Sequence, residues 1–277
     1  MRNFTAYIVI TGILCGFAFG AQASPESDRK AFVEYYKKKF PKVKKSEYVN
    51  GVYAIDAASR AQWESIEEFP PYEIFIDEGE TLFKKKFKNG KSLASCFPDY
   101  KKGIAQTYPQ WDSKRKMVVT LPLAINECLK KNGEEEFEYN KGKIASVLAY
   151  LGFLSRGKTI SVKVPNKDAR AAYEDGKKFY YTRRGQLNMA CAHCHLDNAG
   201  KRIRADILSP ALGHTSHFPV YRAKWQELGT LHRRFGGCNK QVRAKPFKPQ
   251  SEEYRNLEYF LTYMSNGLKS NAPGMRK

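Results

Sequence analysis

Past its N-terminus the chain has no apolar run of bilayer-crossing length, and it is short of acids. Against 48 Lys and Arg stand only 28 Asp and Glu in 277 residues, a formal net charge of +20. The first lack keeps the body of the chain out of the membrane-spanning class. The second calls for an anionic partner: nucleic acid, a membrane surface, an acidic protein or small anions. Disorder is excluded as well, because 42% hydrophobic and 27% charged residues make an ordinary globular composition. The length leaves room for one or two domains with a sizeable core.

The one long apolar run, Tyr7 to Phe19, follows Arg2 and ends at Ala21, Gln22 and Ala23. Charged start, short apolar middle and small residues at the close predict a secretory signal over residues 1–23, cleaved after Ala23. Leu14 is too large for the residue expected before a lipidated cysteine at Cys15. The mature protein is therefore expected to be soluble and periplasmic, which argues against nucleic acid as the partner.

Removal of residues 1–23 leaves Cys96, Cys128, Cys191, Cys194 and Cys238. An odd number of thiols in an oxidising compartment implies that some have chemistry other than disulfide pairing. The five histidines, at 193, 195, 214, 217 and 232, all fall in the same C-terminal stretch. Residues 191–195 read C-x-x-C-H, the attachment signature of a c-type haem. On a helix Cys191 and Cys194 share a face and can take the haem vinyl groups, while His195 offers its imidazole to the iron. A zinc site needs a second ligand pair, and the chain has no other C-x-x-C. A redox dithiol needs a βαβ setting that this neighbourhood lacks.

The layout around the motif occurs twice. Gly79 precedes Cys96 by 17 residues and Gly176 precedes Cys194 by 18. Residues 146–157 align with 256–267, with Leu151/Leu261, Ser155/Ser265 and Gly157/Gly267 identical. Apolar residues recur at helical spacing in both, and each run meets a glycine suited to a C-cap. Cys128 lies 23 residues before Leu151, and Cys238 lies 23 before Leu261. This predicts an all-α protein of two tandem cytochrome c-like domains, residues 24–155 and 156–277. The first has lost its haem: residues 93–97 (Leu93, Ala94, Ser95, Cys96, Phe97) keep neither the first cysteine nor the histidine. A Cys96–Cys128 disulfide is the natural use of its two thiols.

Cys238 is left over. It follows His232, Arg233, Arg234, Phe235, Gly236 and Gly237 and precedes Asn239, Lys240 and Arg243. The glycines permit a turn and close approach to a ligand, and the cations lower a thiol pKa. For the iron position opposite His195 we favour Cys238. Met264, better suited to the core, and His214, His217 and His232 are the alternatives. A thiolate there holds the haem at low potential. The lysine run from Lys37 to Lys45 reads as a solvated face or mobile arm.

Residues 184–195, 200–206, 219–225, 231–234, 238–244 and 251–261 closely resemble SoxA, the haem-bearing subunit family of bacterial thiosulfate oxidation (L-cysteine S-thiosulfotransferase). Residues 68–72, 94–98 and 125–128 are similar to it too. The combination of C-x-x-C-H with two arginines separated by three residues from a cysteine (Arg233, Arg234 and Cys238) carries the specificity. The resemblance implies one covalent c-type haem on Cys191 and Cys194, with His195 and Cys238 as axial ligands. It implies that Cys238 is catalytic and bears a persulfide sulfur, and that Arg234 contacts substrate, with Arg233 or Arg243 as helpers. It implies the single-haem form, with SoxX as electron-accepting cytochrome partner, the SoxYZ carrier as acceptor of sulfur, and thiosulfate as substrate. Two other functions fit the same motif: an electron-transfer cytochrome in which Cys238 is only a ligand, and a binding subunit whose cations dock an acidic protein. The charge is unevenly spread, since residues 156–250 carry +14 of the +20, a field suited to a small dianion and an acidic carrier.

Overall fold

A computed structural model describes residues 24–276; the signal expected over residues 1–23 lies outside the described residues. In chain order its elements are α1 (Pro25–Lys39), α2 (Ala57–Glu67), α3 (Glu73–Lys84), α4 (Leu93–Cys96), β1 (Gln110–Asp112), β2 (Met117–Val119), α5 (Leu121–Lys131), α6 (Lys143–Leu154), α7 (Lys167–Tyr181), β3 (Arg202–Ile203), β4 (Asp206–Ile207), β5 (Val220–Arg222), β6 (Glu227–Gly229), α8 (Leu231–Gln241), α9 (Glu252–Met264) and β7 (Gly274–Arg276). Local chemistry sets many of the starts. Asn166, Thr120, Thr230 and Ser251 each cap a helix through a side-chain oxygen that accepts a backbone N–H three residues on.

The fold is mostly helical, and the all-α expectation is corrected by three small sheets. β1 and β2 form a hairpin, β3 and β4 another, and β6, β5 and β7 a three-stranded sheet in which β7 runs parallel to β5. Each strand is two or three residues long. That is too short to show the alternation by which a strand is read from sequence.

Two helix pairs build the framework. α3 crosses α6 in the first half, and α7 crosses α9 in the second. At each crossing a glycine admits the partner's backbone: a Cβ on Gly79 would lie 1.9 Å from the Ser146 carbonyl oxygen, and one on Gly176 would lie 2.0 Å from that of Asn256. From Tyr108 to Gly157 the first half corresponds to the second at a displacement of 110, whereas the crossing glycines Gly79 and Gly176 are 97 residues apart. β1 matches β5, β2 matches β6 and α5 matches α8. The cis bonds before Pro109 and Pro219 match, as do the positive φ angles of Lys116 and Gln226.

The two cores differ in what they enclose. In the first half Phe83, Leu93, Phe97, Ile125, Leu129 and Leu151 pack on one another, and Cys96 and Cys128 are joined by a disulfide across them. Closing a loop of 32 residues restricts the unfolded chain by roughly 3–4 kcal/mol on the chain-entropy account. In the second half Tyr173, Phe235, Tyr254, Leu257, Phe260 and Leu261 form a core beside a large cavity.

α1 belongs to the second half. Phe32 and Tyr36 are buried on one face, Tyr36 Oη donates to the His195 carbonyl, and Lys39 Nζ donates to the carbonyls of Leu196 and Asp197 at 2.7 and 2.6 Å. The arm expected at Lys37–Lys45 is thus, at Lys39, a clamp on the C-x-x-C-H segment. The two aromatic anchors outweigh the solvation of the charged face.

Candidate functional site

The C-x-x-C-H segment occupies one helical turn that widens to a π-helix over His193–Asp197. The wide turn presents Cys191, Cys194 and His195 to a common cavity of about 600 Å³. His195 Nδ1 lies 2.9 Å from the Ser209 carbonyl, which fixes the ring and leaves Nε2 to the cavity. His193 is turned away, its Nδ1 accepting from the Ala190 N–H at 3.0 Å.

α8 supplies the facing wall. Thr230 caps it, and the resulting helical phase places Leu231, Arg234, Phe235 and Cys238 on the cavity side. The turn expected at Gly236 and Gly237 is absent: both lie inside α8, and a Cβ on Gly237 would meet nothing within 4 Å. Two helical glycines cost about 1 kcal/mol each, which the cap and the buried Leu231, Phe235 and Asn239 offset.

Cys238 and His195 line the same cavity, and the histidine acts on the thiol. Burial pushes the Cys238 thiol up, but Arg234, the His195 contact and Arg222 outweigh it and bring the thiol down to about 6. At Cys191 burial outweighs the nearby Arg184 and pushes the thiol up to about 12. Of the other ligand candidates, Met264 and His232 stand outside the cavity, whereas His214 and His217 line it together with His195 and Cys238. Met264 is buried in the α9 core, 1% exposed, and does not line the cavity. His232 Nδ1 accepts from Gln250 N–H at 3.0 Å and its Nε2 is 3.0 Å from Glu258. His214 Nε2 lies 2.9 Å from Ser209 Oγ, with its ring edge-on to that of His195. Burial holds His214 and His217 well below the usual imidazole range.

Of the three arginines read from sequence, Arg234 lines the cavity and the other two do not. Arg233 points the other way, pairing with Glu227 at 3.0 Å and stacking 4.2 Å from the Trp225 ring centroid. Arg243 is exposed at the turn after α8, with φ of 56°. Sequence reasoning missed Arg222, Lys224 and Arg276, which also line the cavity. Burial lowers both Arg222 and Arg276 to about 10. Arg222 and Lys224 stand two apart on a strand and its extension, a spacing legible only once the hairpin is known.

The residues fit a c-type haem. Two free thiols and an imidazole lie on one wall, a thiol faces them, and Phe179, Leu231, Phe235, Leu257 and Leu261 supply apolar walls.

Comparison with known proteins agrees with this reading. The chain matches the cytochrome c domain of the SoxA/TsdA family twice, over residues 78–160 and 175–270. It is 55% identical to the L-cysteine S-thiosulfotransferase subunit SoxA of Allochromatium vinosum, covering 98% of this chain and 97% of that protein. It is 56% identical to the subunit of the same name from Chlorobaculum tepidum, over 92% and 89%. The crystal structure of SoxXA from P. pantotrophus contains a chain of the same fold: TM-score 0.72 and 32% identity, covering 78% of this chain and 84% of that one. Two matches to the family's haem domain and full-length similarity to its curated members make this chain a member of the SoxA family.

Proposed function

We propose that the chain is the thiosulfate-coupling subunit of a Sox system, an L-cysteine S-thiosulfotransferase acting in the periplasm with one covalent haem. Cys191 and Cys194 would carry the haem, and His195 and Cys238 would hold its iron. The haem when bound supplies a one-electron acceptor, from which a SoxX partner cytochrome takes electrons. Residues 156–277 form the catalytic domain. Residues 24–155, apart from α1, which packs on the catalytic domain, form a domain of the same descent without haem, its two cysteines pinned together.

The observation that carries this reading is a thiol lowered to about 6 facing the C-x-x-C-H histidine, with Arg234 one helical turn before it. Arg234, with Lys224 at the rim, holds the thiosulfate dianion by charge-assisted hydrogen bonds. Cys238 Sγ and the outer sulfur of thiosulfate join through an S–S bond as two electrons leave. The thiolate of the SoxYZ carrier cysteine then attacks that outer sulfur, taking the S–SO₃ group and releasing Cys238 as thiolate. The net change is one S–S bond formed, one thiol proton released and two electrons passed on. In a persulfide form, the same exchanges run through the extra sulfur.

The test is Cys238→Ala. Covalent haem should persist while thiosulfate-dependent reduction of the partner cytochrome falls by at least about 10³-fold, as expected for loss of a nucleophile. Substantial residual turnover would leave the chain an electron relay.

A further inference from the structure

Arg222 and Arg276 are register partners across the parallel β5–β7 pair, and both line the cavity. Each is more than nine-tenths buried, at 8% and 9% exposure. Arg222 Nε and Arg276 Nη2 have no hydrogen-bond partner, and among the described residues neither arginine makes an ion pair within 4.0 Å. Their remaining support is weak. Arg276 Nη1 donates to its own residue's neighbour, the Met275 carbonyl, at 2.7 Å, and its guanidinium lies 4.9 Å from the Tyr53 ring. Arg222 lies 5.4 Å from the Trp225 ring. Asp206 acts on Arg222 only at a distance.

Two buried cations on adjacent strands repel each other and have lost their water. Such an arrangement is costly unless anions are bound permanently alongside. A substrate that comes and goes leaves the pair uncompensated between turnovers. A haem tethered to Cys191 and Cys194 brings two carboxylates of its own, the propionates, on the edge away from the thioether-forming vinyl groups. We infer that Arg222 and Arg276 are the counter-ions that receive the two haem propionates. They are positioning residues for the cofactor, distinct from Arg234, which serves the substrate. The inference rests on the haem reading above.

The experiment uses the haem-bearing full chain with Arg222→Gln and Arg276→Gln, and Met in place of Gln where Gln prevents folding. Redox potentiometry and thiosulfate kinetics are read on the same preparations. Covalent haem should remain at one per chain. Each substitution should shift the ferric–ferrous equilibrium toward ferric by about tenfold, a fall of about 59 mV for one electron. Lys at either position should recover most of the shift, because it restores the charge. In Arg276→Gln the KM for thiosulfate should stay within about twofold, the pattern of a residue that does not bind substrate. An unchanged potential with a raised KM would overturn the inference and assign the pair to the sulfonate of the substrate. An unchanged potential and an unchanged KM would overturn it too. Absence of covalent haem from the unsubstituted chain is a different result, which removes the haem reading itself.

Discussion

Two adjacent arginines on α8 have opposite fates. Arg234 reaches the cavity and bears on Cys238, whereas Arg233 is spent on Glu227 and Trp225. Arg234→Ala should therefore raise the KM for thiosulfate by at least about tenfold, the loss of one charge-assisted contact. Arg233→Ala should leave KM in place and lower unfolding stability by about 1 kcal/mol, the worth of a half-exposed cation–π contact and ion pair. Steady-state kinetics and urea titration of the two variants separate these outcomes. The sequence announced the pair, and the spacing from Arg234 to Cys238 marked a shared helix face. Which arginine turned inward depended on the helical phase set by the Thr230 cap and on Trp225, a residue of the preceding hairpin. Neither is visible until the strands are placed.

The helix pairs were the most legible elements, because α6 and α9 repeat the same apolar spacing with identical Leu, Ser and Gly positions. The hairpins and β7 were not legible, since runs of two or three residues carry no periodicity. The crossing glycines give a test at this scale. Gly176→Ala sets a methyl group against the Asn256 carbonyl and should destabilise the second half by roughly 1–3 kcal/mol or more, with weakened haem-centre absorbance. Gly79→Ala meets the Ser146 carbonyl in the same way and should cost a similar amount without perturbing that absorbance. Thermal unfolding followed at the haem band and in the far ultraviolet distinguishes them. If both variants perturbed the haem centre equally, the halves would be less independent than their separate cores imply.

For the whole molecule, the uneven charge read from composition corresponds to a cavity lined by Arg202, Arg204, Arg222, Lys224, Arg234 and Arg276. Turnover with an acidic carrier should therefore fall steeply as salt rises from about 0.01 to 0.15 M, where the screening length shortens from about 30 to 8 Å. Reaction rates at matched pH and graded ionic strength check this. Replacing Cys96 and Cys128 together by serine should cost about 2–4 kcal/mol of stability and leave the haem spectrum as it was, because the disulfide lies in the other core. The correspondence at a displacement of 110 residues also means that the chain carries its own control. One backbone course is drawn twice, with the same cis bond, hairpin and capped helix, and only the side chains are exchanged. Asp112 stands at the place of Arg222, Ala124 at that of Arg234, and bonded Cys128 at that of free Cys238. Over that stretch the contrast between the halves falls on paired side chains, while Cys191, Cys194 and His195 have no counterpart at this displacement. Swapping those pairs one at a time within a single molecule would measure how few letters the chemistry requires.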